Sequence, residues 1–234
     1  MNQNVVLIIG GCHVKGFPYE LEDSFVYKIN KFKDFQLKME PNFAIKRLNK
    51  NLNLLNEVNH LMLQLGHYET TFPLRDYFFG KKNTNKKQSL SDSAYDQNEI
   101  DRTPVFEGNL RFYLGEFLKC QLQFLRDLFG KSLLDTQNIE NTLDQFFSNL
   151  RARGFQSVTV LSNFYCPSNS ANNYRRRLNK IFYDKSLKYG YQYLDAFSLL
   201  EENTKKTKYY YFDNIHLSKN SINILSDFIN ENLK

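Results

Sequence analysis

No apolar run approaches the roughly 18–20 residues that a membrane span requires, so no membrane-crossing segment is expected. No secretory leader is expected either. Met1-Asn2-Gln3-Asn4 leads straight into Val5-Val6-Leu7-Ile8-Ile9, without a basic start, a longer apolar stretch or a small-residue cleavage site. These absences predict a cytoplasmic protein. Cysteine is scarce: Cys12, Cys120 and Cys166 are odd in number and far apart, which argues against a disulfide framework. Charge of one sign is not concentrated either. The net charge is +6, but Lys and Arg are spread along the chain. The densest run, Lys81-Lys82 with Lys86-Lys87, falls in a polar stretch, and Arg175-Arg176-Arg177 falls in an expected helix, where neighbours point in different directions. No nucleic-acid partner is expected from this pattern. What the chain does contain is 41% hydrophobic and 15% aromatic residues over 234 positions, which excludes wholesale disorder and supports a sizeable core.

Apolar patterning alternates between strand and helix. Val5–Ile9 is continuously apolar and stops at Gly10-Gly11, as in a strand buried on both faces. Phe35–Met39 predicts a short second strand, Val58–Leu65 a third ending at Gly66, Val158–Leu161 a fourth, and Tyr191–Leu194 a fifth ending at Asp195. Pro41 is expected to open a helix bearing Phe43, Ile45, Leu48, Leu52 and Leu55. Residues 108–130 and 137–152 have helical spacing, as do Tyr174, Leu178, Ile181 and Phe182; Ser218 is a candidate N-cap for a last helix through Leu233. Residues 70–107 change character and read as an insertion or lid within a single domain spanning 1–234. The order predicts a three-layer α/β sandwich around a parallel sheet of about five strands. Sites in such sheets lie beyond the C-terminal strand ends, here Gly11–Gly16, Gly66–Glu69 and Asn163–Ser170.

Three segments carry candidate chemistry. Gly10-Gly11-Cys12-His13-Val14-Lys15-Gly16 follows the first strand and is not a phosphate-binding loop, because it lacks the Gly-Lys-Ser/Thr ending. Its glycines suit a tight turn that holds a thiol near a histidine, although a free cysteine is more often a small buried hydrophobe. Asp213-Asn214-Ile215-His216 precedes the last helix, and a carboxylate three residues ahead of a histidine can orient its ring. Gln64-Leu65-Gly66-His67-Tyr68-Glu69 offers hydrogen-bond donors beside the same crevice.

Together these segments resemble the SGNH, or GDSL-type, hydrolase superfamily, from Val5 to about Ile229 apart from the insertion. The resemblance implies a flavodoxin-like α/β/α sandwich, the SGNH hydrolase fold. By position Gly10-Gly11-Cys12 falls on the family's Gly-Asp-Ser, which makes Cys12 the implied nucleophile; Asp213 and His216 match the C-terminal pair unchanged. Gly66-His67-Tyr68-Glu69 falls on Gly-x-Asn-Asp, with Tyr68 in the place of the oxyanion asparagine. No glycine occurs between Gly16 and Gly66, so the family's second-strand glycine is missing too. Replacement donors are the Cys12 N–H, a backbone N–H near Asn42 or its amide, and the side chains of His67 or Tyr68.

The implied activity is hydrolysis or transfer of an acyl ester through a thioester on Cys12, with a small-molecule or saccharide substrate and no cofactor. Two other readings stay open: a metal site built from Cys12, His13, His67, Asp213 and His216, for which a supporting or surface placement of His13 is the blander account, and a non-catalytic ligand-binding protein that keeps the fold. Cys120, on the apolar stripe of the helix expected over 108–130, reads as core, Cys166 as structural, His60 as an interior or strand-edge residue, and Tyr209-Tyr210-Tyr211-Phe212 as packing rather than a pocket wall.

Overall fold

Alternation along the first strand decides which side of the sheet each residue feeds. Val5–Gly10 forms β1 and is buried at every position. Val6 and Ile8 join one apolar cluster and Leu7 and Ile9 the other, as a period of two requires. The computed structural model describes residues 4–16, 19–80, 110–155, 157–204 and 217–233. Four more strands, β2 (Gln36–Glu40), β3 (His60–Gln64), β4 (Val158–Leu161) and β5 (Gln192–Leu194), complete a sheet ordered β2-β1-β3-β4-β5. All four pairings are parallel. The five strand readings from the sequence are therefore borne out within a few residues.

Seven α-helices are described: α1 (His67–Thr70), α2 (Leu74–Phe79), α3 (Leu110–Leu128), α4 (Thr136–Ala152), α5 (Asn169–Tyr189), α6 (Ala196–Thr204) and α7 (Lys219–Asn232). One layer consists of α4 and α5 packed on Leu7, Leu61, Leu63 and Val160. The other consists of Phe25, Val26, α6 and α7 packed on Val6, Ile8, Met62 and Leu161. Polar side chains start the main helices: Asp135 accepts from the Asn138 N–H, Ser168 from Ala171 and Ser218 from Ser221. No described helix is long and apolar enough to cross a membrane. Residues 81–109, most of the expected insertion, lie outside the described residues.

The structure corrects two readings of pattern. The helix expected after Pro41 is two short 3-10 segments, Ile45–Lys50 and Leu52–Leu55, with Phe43, Ile45, Leu48 and Leu55 still buried. Asparagines crowd this stretch and compete for the backbone, as Asn51 does by donating to the Arg47 carbonyl. In α3 the apolar stripe is outside: Leu110, Leu114, Phe117, Phe124 and Leu128 are exposed, while Glu116 and Gln123 are buried. Glu116 accepts from Ser168 Oγ (2.8 Å) and from the Ser170 N–H and hydroxyl (3.2 and 3.0 Å), and Gln123 accepts from Asn173 (3.1 Å). The helix thus docks on α5 by its polar side. Cys120, read as core, is half-buried, and Cys166 is fully buried with its thiol near Asn172 Oδ1.

His60, at the start of β3, sits between the hydroxyls of Ser157 and Thr159. Burial, and after it the nearby Lys31 charge, push its ring down from 6.5 to about 4. The folded ring is then neutral where the unfolded one takes up a proton, so stability is full above pH 6.5 and is lost as pH falls toward 4. Urea unfolding across that window is expected to show a slope totalling at most about 3 kcal/mol from this residue, absent in His60→Gln.

Candidate active site

The strand order reverses between β1 and β3, and the crevice at their C-terminal ends is where a doubly wound sheet binds its ligand. Three strand exits are tied together there. Gly10 accepts from the Phe43 N–H beyond β2 (2.9 Å), and Gly11 donates its N–H to Gln64 Oε1 at the end of β3 (3.0 Å). The chain then makes a single 3-10 turn, Cys12–Lys15, closed by Gly16 in the left-handed region at φ 81°. Cys12 begins that turn and is buried, with its sulfur 3.9 Å from His13 Nδ1. His13 is also buried, its ring edge-on to Phe164 (5.2 Å) and to His67 (5.8 Å). The histidine is a packed residue rather than a surface one, and the turn after β1 does meet the segment after β3.

Gly66 is needed at the head of α1. Its φ is 98°, and a Cβ there would lie 2.5 Å from both Asn163 Nδ2 and Leu178 Cδ2. The squeeze brings the start of α1 against the Cys12 turn. Any side chain at position 11 would begin 3.3 Å from Gln64 Oε1 and 3.5 Å from His67 Cβ. Position 11 and His67 are thus neighbours in space.

After β2, Asn42 adopts φ 57°. Asparagine is one of the few residues that visits this region readily. The turn for which the sequence offers no glycine is therefore made by Asn42. Its side-chain carbonyl accepts from the Tyr68 hydroxyl. Burial, then the nearby Cys12 and Glu69 groups, push that hydroxyl's pKa up, so it stays a neutral donor. Glu69 Oε1 accepts from the Ile45 N–H (2.8 Å), which ties α1 to the segment after β2.

One residue beside the site escaped the sequence reading. Arg175, on α5, is only 2% exposed. Its Nε donates to Thr70 Oγ1 (3.3 Å), one terminal nitrogen to the Phe164 carbonyl (2.6 Å), and the other to His67 Nδ1 (3.3 Å). Its neighbours behave differently: Arg176 pairs with Glu201 and Arg177 with Asp127. Helical spacing was the usable signal, since Ala171, Arg175, Leu178 and Phe182 fall on one buried face.

Asp213, His216 and the Tyr209–Phe212 run lie outside the described residues. The positions just after them are anchored. Leu217 is fully buried in the cluster that holds Val14 and Tyr19, Ser218 caps α7, and the Lys219 N–H donates to the Tyr19 hydroxyl (3.2 Å). Among the described residues no group of three or more His, Cys, Asp or Glu is arranged to hold a metal ion. The Arg175 guanidinium on His67 works against a cation there.

The sequence matches no protein-family model and no curated protein. Solved structures do match along the whole chain. A member of the lipolytic G-D-S-L family from Veillonella parvula is 10% identical, with a TM-score of 0.59 over 97% of this chain and 96% of its own. A catalytic mutant of an acetylxylan esterase from Geobacillus stearothermophilus is 11% identical, with 0.59 over 98% and 94%. A lipase/acylhydrolase from Enterococcus faecalis is 10% identical, with 0.53 over 99% and 98%. The chain shares the fold of these proteins, as the sequence resemblance implied.

Two turns can be tested by stability. Gly66→Ala is expected to lose more than about 2 kcal/mol in urea unfolding, because it adds a clash with buried Asn163 to an unfavourable φ. Asn42→Gly keeps the turn but leaves the Tyr68 hydroxyl without its acceptor, so it is expected to lose about 1 kcal/mol in urea unfolding, a loss that Tyr68→Phe removes from the comparison.

Proposed function

We propose that the protein is an SGNH-type hydrolase of small or saccharide acyl esters, with Cys12 as nucleophile. The observation that carries this reading is the position of Cys12: it begins the turn after β1, at the switch point of the sheet, facing the head of α1. The fold shared with a lipolytic protein and an acetylxylan esterase supports the choice of reaction and substrate class.

The chemistry derives from thiol reactivity. His216, oriented by Asp213, takes the thiol proton, and the thiolate adds to the acyl carbonyl carbon. The carbonyl electron pair moves onto oxygen, and the oxyanion is held by the Cys12 N–H and a side chain from α1. Of the two side chains there, Tyr68 already spends its single O–H on Asn42, so His67 is the donor. Collapse breaks the bond to the leaving oxygen, which takes its proton from His216, and leaves a thioester on Cys12. Water, deprotonated by His216, releases the acid and restores the thiol. An alcohol in place of water gives acyl transfer by the same steps.

Brief exposure to an activated acetyl ester, followed by intact-mass measurement, tests the assignment. One acetyl adduct is expected on the parent protein, none on Cys12→Ala, and slow formation on His216→Ala. Labelling indifferent to both substitutions, or undiminished ester turnover by Cys12→Ala, overturns it.

A further inference from the structure

Arg175 is a buried charge without a carboxylate beside it. Its three hydrogen-bond partners are a hydroxyl, a carbonyl and an imidazole nitrogen, and among the described residues no carboxylate forms an ion pair with it. Burying a guanidinium in this way is expensive, and an apolar side chain of similar volume packs a helix face at lower cost. The charge therefore asks for an explanation beyond packing.

The contacts supply one. A guanidinium has five donors and no acceptor. The nitrogen it meets on His67 must accept, so His67 Nδ1 carries no proton and the ring's one N–H is at Nε2. A protonated ring, a donor at both nitrogens, cannot make this bond. The other contacts fix where the guanidinium stands. Thr70 takes the Nε donor and passes its own hydroxyl proton to the Gly66 carbonyl (3.0 Å), while the Phe164 carbonyl holds one end from beyond β4. Arg175 is thus clamped to the segments that follow β3 and β4, and His67 is oriented by the clamp.

We infer that Arg175 is a positioning residue that holds His67 as a neutral Nε2–H donor for the developing oxyanion. This rests on the proposed role of His67 at the site. A neutral imidazole polarises a carbonyl without giving up its proton, and the adjacent positive charge strengthens the N–H as a donor. The Arg175–His67 pair then does what a single asparagine amide does in the family pattern: it presents one fixed, neutral N–H.

Ring-nitrogen-labelled histidine and long-range proton–nitrogen spectra test the tautomer directly. The protein has four histidines, and the His67 signals are those lost in His67→Gln. In the parent protein His67 is expected as the Nε2–H form alone. A proton on Nδ1, or on both nitrogens, overturns the inference, and this measurement is made on the parent fold. The second arm is a kinetic cycle with an acetyl ester. Arg175→Gln is expected to lower kcat roughly 10- to 100-fold with little change in KM, and to lower it no further in a His67→Gln background. An equal loss in both backgrounds shows that Arg175 does not act through His67 and also overturns the inference. A parent protein that turns over no ester refutes the proposed function instead, and the tautomer spectrum still decides the role of Arg175.

Discussion

The crevice depends on how tightly the ends of β1 and β3 are held together. The Gly11 N–H to Gln64 bond joins the two strand exits side by side, and Gly66 lets the chain turn where no Cβ fits. The side chains that face the Cys12 turn from beyond β3 then come from the four-residue helix that Gly66 starts. A looser junction would leave His67 and Tyr68 on an ordinary loop. With this one they are fixed from three directions: Asn42 after β2, Arg175 on α5, and His13 in the Cys12 turn. The geometry is local, but it exists because a parallel sheet with a reversal between β1 and β3 leaves a gap at that point.

The layers of the fold were readable from the chain because strand and helix periods are written in apolar residues. Val5–Ile9 and Val158–Leu161 gave nearly their observed limits, since buried parallel strands tolerate little else. The pattern misled where polar groups decided the packing. The stripe in α3 has the period of a core face, yet Glu116 satisfies the first turn of α5, and that bonding turns the stripe outward. The missing glycine after β2 was a similar case: the backbone conformation was kept by Asn42, which composition alone does not reveal. Arg175 was hidden by its company. Read as one of three basic residues, it resembles surface; read by its helical face, it is a buried position occupied by a charge.

The departures from the family pattern can also be taken as a set. Set beside the GDSL-type motifs that the sequence resembles, each removes a group: an aspartate at Gly11, the glycine after the second strand, an asparagine at Tyr68. In space they are joined. Gly11 lies beside Gln64 and His67, Tyr68 is held by Asn42, and His67 is held by Arg175. Removing one partner of such a set strands polar atoms on the others, so its members are understood together rather than as independent losses.

In the mechanism proposed for Cys12 and His67, that linkage bears on why a thiol and an imidazole suit the same crevice. A serine needs its base to generate an alkoxide equivalent and a strong oxyanion hole to stabilise the tetrahedral intermediate. A thiol ionises far more readily and is intrinsically more nucleophilic, so less of the barrier lies in making the nucleophile. A hole with fewer donors is then sufficient, provided that those remaining are rigid and correctly protonated, because preorganisation gives such donors their strength. A flexible histidine would be a poor substitute for an amide, since it has two tautomers and a charged form. A histidine whose Nδ1 is occupied by a guanidinium presents a single neutral form. In the proposed mechanism the buried arginine is a consequence of using a histidine at this position, and the cost of its burial is the cost of making one donor as well defined as an amide.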